Sequence, residues 1–361
     1  MRRPDIPVLT TLRFPAAFAI VLYHFLPYTT CPSWVWGGFS EGVSFFYVLS
    51  GFILYYNYLD MTDRGFFWVA RLSRIWPVHL VTCLMALLLL PWENLLGHAS
   101  WQITLPANLL LVQAWLPFKG STLSFNGVSW SLSVEGFFYL CFPWLLGLLK
   151  RRRSSFVLAA AFGLGFLIVS LATIFWPANA SIVGSFNPAC RLFEFVLGMT
   201  TCKFWLEGKE QATNVSAWLG YEALVLSMGL VLVVSLPLII GALGMVNPAV
   251  NWLGSTICAF GFAGLIWVLA HQAGPISRML SQRYLTWLGE ISFAVYMCHQ
   301  IILRRMGVDD LLDPARAWWK FAIYALVTLI ASAAIFHLVE TPSRHALVSA
   351  YKRWSARRNP N

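Results

Sequence analysis

Apolar stretches of membrane-spanning length recur along this 361-residue chain, separated by short polar gaps. That pattern constrains the fold more than any motif does. A segment in lipid has no water for its backbone N–H and C=O groups and must close its hydrogen bonds within helices or a closed barrel. Nothing in the chain alternates in the manner of barrel strands. With 58% hydrophobic and 11% charged residues and a mean hydropathy of +0.67, an ordinary soluble domain is excluded. The expected class is all-α, a polytopic membrane protein.

Candidate spans cover residues 8–27, 39–59, 76–92, 130–149, 156–175, 189–206, 219–240, 251–271, 285–303 and 320–339. Residues 103–116, ITLPANLLLVQAWL, are an eleventh candidate. If they spanned, the block Lys150-Arg151-Arg152-Arg153 would face outward, against the positive-inside rule. Reading them as re-entrant or interfacial leaves ten spans, cytoplasmic termini and most of the 25 basic residues inside. The core then covers residues 1–345 and a basic cytoplasmic tail 346–361. In the outward loop 304–319, Asp309, Asp310 and Asp313 nearly balance Arg304, Arg305, Arg316 and Lys320. Arg2 and Arg3 precede the first span as in a signal peptide, but no small-x-small cleavage site follows, so it reads as a retained anchor. Trp34, Trp36, Trp92, Trp101, Trp318 and Trp319 sit at span ends, as an interfacial belt first and a sugar-stacking platform second.

The net charge of +10 therefore reflects topology and contact with anionic membrane lipids, with no nucleic-acid partner expected. Seven cysteines without C-x-x-C spacing read as buried thiols, with no metal and no disulfide framework.

Within the first span, Arg13 and His24 are eleven residues apart, which returns both to nearly one helix face, about 16 Å apart along the axis. Two readings fit them. Either Arg13 snorkels while His24 is a satisfied core histidine, or both mark a substrate or proton path. In FFWVARLSRIWP, Arg71 and Arg74 share a helix face at the expected cytoplasmic mouth of the third span and suit a phosphate or pyrophosphate, unless they only snorkel to headgroups. Glu135, early in the span WSLSVEGFFYLCFPW, is expected near the outer face at the depth of His24, where a carboxylate and an imidazole could form a general-base dyad or a structural ion pair. Arg191 and Glu194, at i and i+3, read as a structural pair.

Taken in order, LTTLRFPAAFAIVLYHF, GFSEGVSFFYVLSGFIL, ARLSRIWPVHL, VSWSLSVEGFFYLCFPWLL, CRLFEFVLGM, LGEISFAVYMCHQIIL and VETPSRHAL resemble the membrane-bound acyltransferase family 3. The resemblance implies a ten-span core that moves an acyl group, commonly acetyl, from cytosolic acyl-CoA to an extracytoplasmic hydroxyl. Acyl-CoA is then a donor substrate, with no permanently bound cofactor, and the acceptor a carbohydrate or lipid-linked glycan. It implies that His24 is catalytic with Glu135, that Arg13, Arg71 and Arg74 bind the donor, and that Ser50, Ser131 and Ser133 bind substrate. Ser50 and Gly51 fall in its Leu-Ser-Gly turn, while Glu290, His299 and Glu340 match positions with a structural or gating role. The cell membrane, in bacteria the inner one, is the expected location.

Thr10 and Ser44 stand where relatives often carry Asp, and Gly136 replaces a second acid, so Arg13 lacks its usual carboxylate partner. No esterase-like domain follows, which implies stand-alone action. The competing class is a proton-coupled transporter or glycan flippase using His24 and Glu135 as a relay, but the paired arginines and the absence of visible inverted repeats favour the enzyme.

Overall fold

The computed structural model describes residues 3–91, 95, 100–208, 215–242, 247–307 and 314–358. Arg2, Trp92, Asp309, Asp310 and Asp313 lie outside the described residues, as does the side chain of Arg316. The principal helices, numbered in chain order, are α1 (Pro7–Thr11), α2 (Arg13–Phe25), α3 (Gly42–Tyr58), α4 (Arg64–Leu89), α5 (Trp101–Leu109), α6 (Trp130–Arg151) and α7 (Ser154–Phe175). They continue with α8 (Leu192–Glu207), α9 (Val215–Ala242), α10 (Pro248–Ala270), α11 (Arg283–Met306), α12 (Pro314–Ile335) and α13 (Thr341–Arg358). Among the described residues there is no strand. The protein is an all-α polytopic membrane protein.

Eight helical segments are long and apolar enough to cross a membrane: Pro7–Tyr28, Ser33–Tyr58, Arg64–Leu89, Gly127–Arg151, Ser154–Phe175, Trp218–Ile240, Pro248–Ala270 and Ala317–Arg358. The two remaining expected spans correspond to α8 and α11. α8 has 16 residues, most of them buried, and α11 carries Arg283, Glu290, His299, Arg304 and Arg305. Both pack within the bundle, α8 against α3, α7 and α10, and α11 against α2, α4 and α12. Helices covered by protein need less apolar surface than helices facing lipid, which is why these two carry polar groups.

Residues 103–116 form no crossing helix. α5 spans nine residues and rises only about 14 Å, under half of a hydrocarbon core. Neighbouring helices hold this segment in place. Trp76 of α4 donates to Leu109 O at 3.1 Å, and Gln113 donates to Ser129 O at 2.9 Å.

Asp63 caps α4 by accepting from Phe66 N at 2.9 Å, so the helix starts well before the span expected from residue 76. Arg71 and Arg74 consequently lie about 10 and 15 Å along α4 rather than at its mouth. A π-helical turn, Phe336–Glu340, joins α12 to α13. The expected tail boundary at 346 falls inside α13, which packs along α4, with Tyr351 Oη donating to Asp63 at 3.1 Å. Trp34, Trp101, Trp318 and Trp319 are exposed.

The Leu-Ser-Gly element expected as a turn runs straight through α3, where it makes a helix crossing. A Cβ on Gly51 would lie 2.0 Å from Phe195 O, and one on Gly198 of α8 would lie 1.9 Å from Val48 O. Small residues permit this backbone approach, the main means of helix association where lipid removes the hydrophobic drive. Gly51→Ala and Gly198→Ala should each destabilise the protein by about 1–3 kcal/mol and lower its Tm in detergent. Gly163→Ala, with nothing within 4 Å, should leave Tm unchanged. Equal thermal stability of all three variants by scanning fluorimetry would contradict the crossing.

Candidate active site

Five helices bring their polar residues to one cavity of about 80 Å³, room for two or three waters. Arg13 enters from the start of α2, Arg71 and Arg74 from one face of α4, Glu135 and Tyr139 from α6, and Ser50 from α3. Ser131 and Tyr296 also line it. The i and i+3 spacing of the arginines and the i and i+4 spacing of Glu135 and Tyr139 each set two groups on one helix face. Glu135 accepts a hydrogen bond from the Tyr139 hydroxyl. Arg13 is within electrostatic range of Arg71, Arg74 and Glu135.

The cavity is rich in unused cationic donors. Among the described residues, none of Arg13, Arg71 and Arg74 forms an ion pair. Arg71 Nε is buried without a hydrogen-bond partner, and its guanidinium lies over the Tyr58 ring, 5.3 Å from the centroid. Glu340 at the π-helical turn and Arg344 on α13 add a carboxylate and a further guanidinium within range of Arg74. Guanidiniums buried without carboxylate partners have the donor capacity that an anionic ligand completes.

His24 is not among the residues lining this cavity, and the expected dyad with Glu135 does not form. Helix geometry explains why. Glu135 shares a level with Arg13, and His24 lies about 16 Å further along α2. The imidazole meets α11 instead, with His24 Nδ1 2.9 Å from Ile20 O and 3.2 Å from His299 Nε2. His299 Nδ1 lies 2.7 Å from Tyr296 O and 3.2 Å from Val295 O. Tyr296 therefore serves both places. Its backbone carbonyl faces His299, and its hydroxyl, in the cavity wall, is 2.9 Å from Val128 O and 2.8 Å from Ser131 Oγ.

Of the expected substrate serines, Ser50 and Ser131 line the cavity. Ser133 does not; its Oγ accepts from Ala114 N at 3.3 Å and ties down the segment after α5. Sequence reasoning missed Tyr139 and Tyr296 as cavity groups. Each stands one turn from a residue already singled out, Glu135 or His299, which was the available clue.

A second polar chain lies between α3 and α8. Arg191 pairs with Glu194 at 3.1 Å, as the i and i+3 spacing suggested, and donates to Ser44 Oγ at 2.8 Å. Ser44 in turn donates to Glu41 at 2.6 Å, and Ser255 donates to the other Glu41 oxygen at 2.8 Å. The Arg191 guanidinium also sits over the Tyr47 ring at 5.5 Å. Arg191 and Glu194 are buried, with Arg191 Nε and Glu194 Oε2 left without hydrogen-bond partners among the described residues, while the half-buried Glu41 is held there by serine hydroxyls alone.

Residues 6–337 match the family described as the Acyltransferase domain, the acyltransferase family 3 that the motif series resembles. The chain belongs to this family, and the molecule is a polytopic helical membrane acyltransferase. Acyltransferase MdmB of Streptomyces mycarofaciens is 30% identical over 95% of this chain and 92% of its own length. A putative peptidoglycan O-acetyltransferase of Bacillus subtilis, YrhL, is 25% identical over 97% of this chain and 58% of its own. Peptidoglycan O-acetyltransferase OatA of Listeria monocytogenes is 24% identical over 95% and 56% respectively. The chain thus spans nearly all of the first relative and little more than half of the other two. No solved structure matches it.

The buried Arg191–Glu194 pair allows a separate test of structural against catalytic polarity. Glu194→Ala should cost about 3–5 kcal/mol by stranding a buried guanidinium, and replacing both residues with apolar side chains should cost less. Chemical denaturation in detergent would measure both, and a single variant as stable as the parent would contradict the pairing.

Proposed function

We propose that the protein is an O-acyltransferase that moves an acyl group, acetyl in the first instance, from cytosolic acyl-CoA to a hydroxyl of an extracytoplasmic carbohydrate or lipid-linked glycan. One observation carries this reading: three guanidiniums without ion-pair partners converge on an internal cavity whose wall, at Tyr296, connects to a histidine pair about 16 Å along the bundle. Family membership supports the reaction class, and the peptidoglycan O-acetyltransferase names of two relatives support a glycan acceptor.

Arg71 and Arg74, joined by Arg13, would hold the anionic phosphates of the donor by charge-assisted hydrogen bonds. The neutral pantetheine arm would run toward His24 once Tyr296 shifts from Ser131. His24 Nε2 would take the proton of the acceptor hydroxyl as its oxygen attacks the thioester carbonyl. The C–S bond then breaks, the leaving thiolate takes the proton back from the imidazolium, and the products are the ester and free CoA thiol. Glu135, held by Tyr139, would keep one wall of the donor cavity anionic and so balance part of the arginine charge.

His24→Ala should lower transfer by about 10²- to 10⁴-fold while the protein remains folded. Arg71→Ala and Arg74→Ala should each raise the KM for acetyl-CoA by about 10- to 100-fold, with kcat less affected. Purified protein in liposomes, given labelled acetyl-CoA and a glycan acceptor, tests both. Covalent label on the acceptor supports the enzyme, whereas full activity of His24→Ala, or uphill flux of acceptor without label, contradicts it.

A further inference from the structure

The contacts between α2 and α11 fix more than the position of His24; they fix where its hydrogens are. His299 Nδ1 faces two backbone carbonyls, Tyr296 O at 2.7 Å and Val295 O at 3.2 Å. A carbonyl oxygen only accepts, so this nitrogen carries the hydrogen, and Nε2 of a neutral His299 is a bare acceptor. The opposite tautomer would press a nitrogen lone pair against a carbonyl lone pair at 2.7 Å in a fully buried place. His24 Nδ1 in turn faces only acceptors, Ile20 O at 2.9 Å and His299 Nε2 at 3.2 Å. It must therefore be the protonated nitrogen, which leaves the lone pair of His24 on Nε2.

We infer that His299 is the positioning residue for His24: its Nε2 shares the His24 Nδ1–H with Ile20 O, fixes the plane of the ring, helps hold the tautomer in which Nε2 is the base, and shares the positive charge when that base is protonated. This rests on the assignment of His24 as the base and deepens it. In a base-and-orienter arrangement the third group is often a carboxylate. Here the expected carboxylate, Glu135, is engaged by Tyr139 at the level of Arg13, and an imidazole takes the place. A neutral partner suits the site. An unpaired carboxylate at this depth would carry a large desolvation cost, whereas a neutral imidazole hydrogen-bonded through its own Nδ1–H does not. His299 is itself held through the backbone of Tyr296, so ring orientation passes from α11 to His24 without a mobile side chain between them.

The test uses the full chain in liposomes, with acetyl-CoA turnover read as released thiol in the presence of peptidoglycan fragments. His299→Leu removes the acceptor and should lower kcat about 10- to 100-fold, leaving the KM for acetyl-CoA within about twofold. His299→Gln can place an amide oxygen where Nε2 lies and should restore kcat to within about fivefold of the parent. Nitrogen NMR of histidine-labelled protein supplies a readout independent of either variant, and should show His24 protonated on Nδ1 and bare on Nε2. Parental kcat in His299→Leu, equal loss in the Leu and Gln variants, or a hydrogen on His24 Nε2 with Nδ1 bare would each overturn the inference. His24→Ala measured alongside separates the two claims. An active His24→Ala defeats the base assignment itself, and an inactive His24→Ala beside an intact His299→Leu defeats only the role of His299.

Discussion

Like charge gathered inside an apolar bundle is the constraint around which this molecule is organised. Arg13, Arg71 and Arg74 reach one cavity from two helices, and Glu135 is the carboxylate in its wall. Guanidiniums removed from water are costly unless partners offset the desolvation. Here part of the offset comes from Glu135, part from the Tyr58 face under Arg71, and part from Glu340 near Arg74. The surrounding helices serve that arrangement. α8 crosses α3 at glycines close enough to fix one wall, and α11 is enclosed by α2, α4 and α12 so that it can present polar residues inward.

The second organising fact is a length. Eleven residues of α2 separate Arg13 from His24, and an α-helix makes that about 16 Å. A donor with charged phosphates at one end and a thioester at the other can use both ends of such a frame, provided its connecting arm is neutral. Tyr296 is where the two ends meet. Its ring lines the cationic cavity, and its carbonyl steadies the histidine pair. Movement of one residue on α11 is therefore felt at both places.

Much of this was legible in the sequence, and the remainder was not for definite reasons. Spans rich in leucine and phenylalanine announce themselves by length, which made the all-α class readable. α8 and α11 were also found, although their interior position gives them weaker apolar patterns. The spacing of Arg71 and Arg74 correctly put both on one face, yet where their helix begins depended on the Asp63 cap, which moved them from a mouth to the interior. The pairing of His24 with Glu135 failed because sequence gives depth along a helix only to within several residues and says nothing about which helices touch. His299 stood one turn from Tyr296 in the quoted motif, but only the packing of α11 on α2 reveals that it meets His24.

Cryo-electron microscopy of the protein with a non-reactive thioether analogue of acetyl-CoA tests the central claim most directly. The account predicts the diphosphate against Arg71 and Arg74, the arm passing a displaced Tyr296, and the carbonyl carbon beside His24 Nε2. A nucleotide bound away from the arginines, or an arm that ends on the Arg13 side of Tyr296, would contradict it.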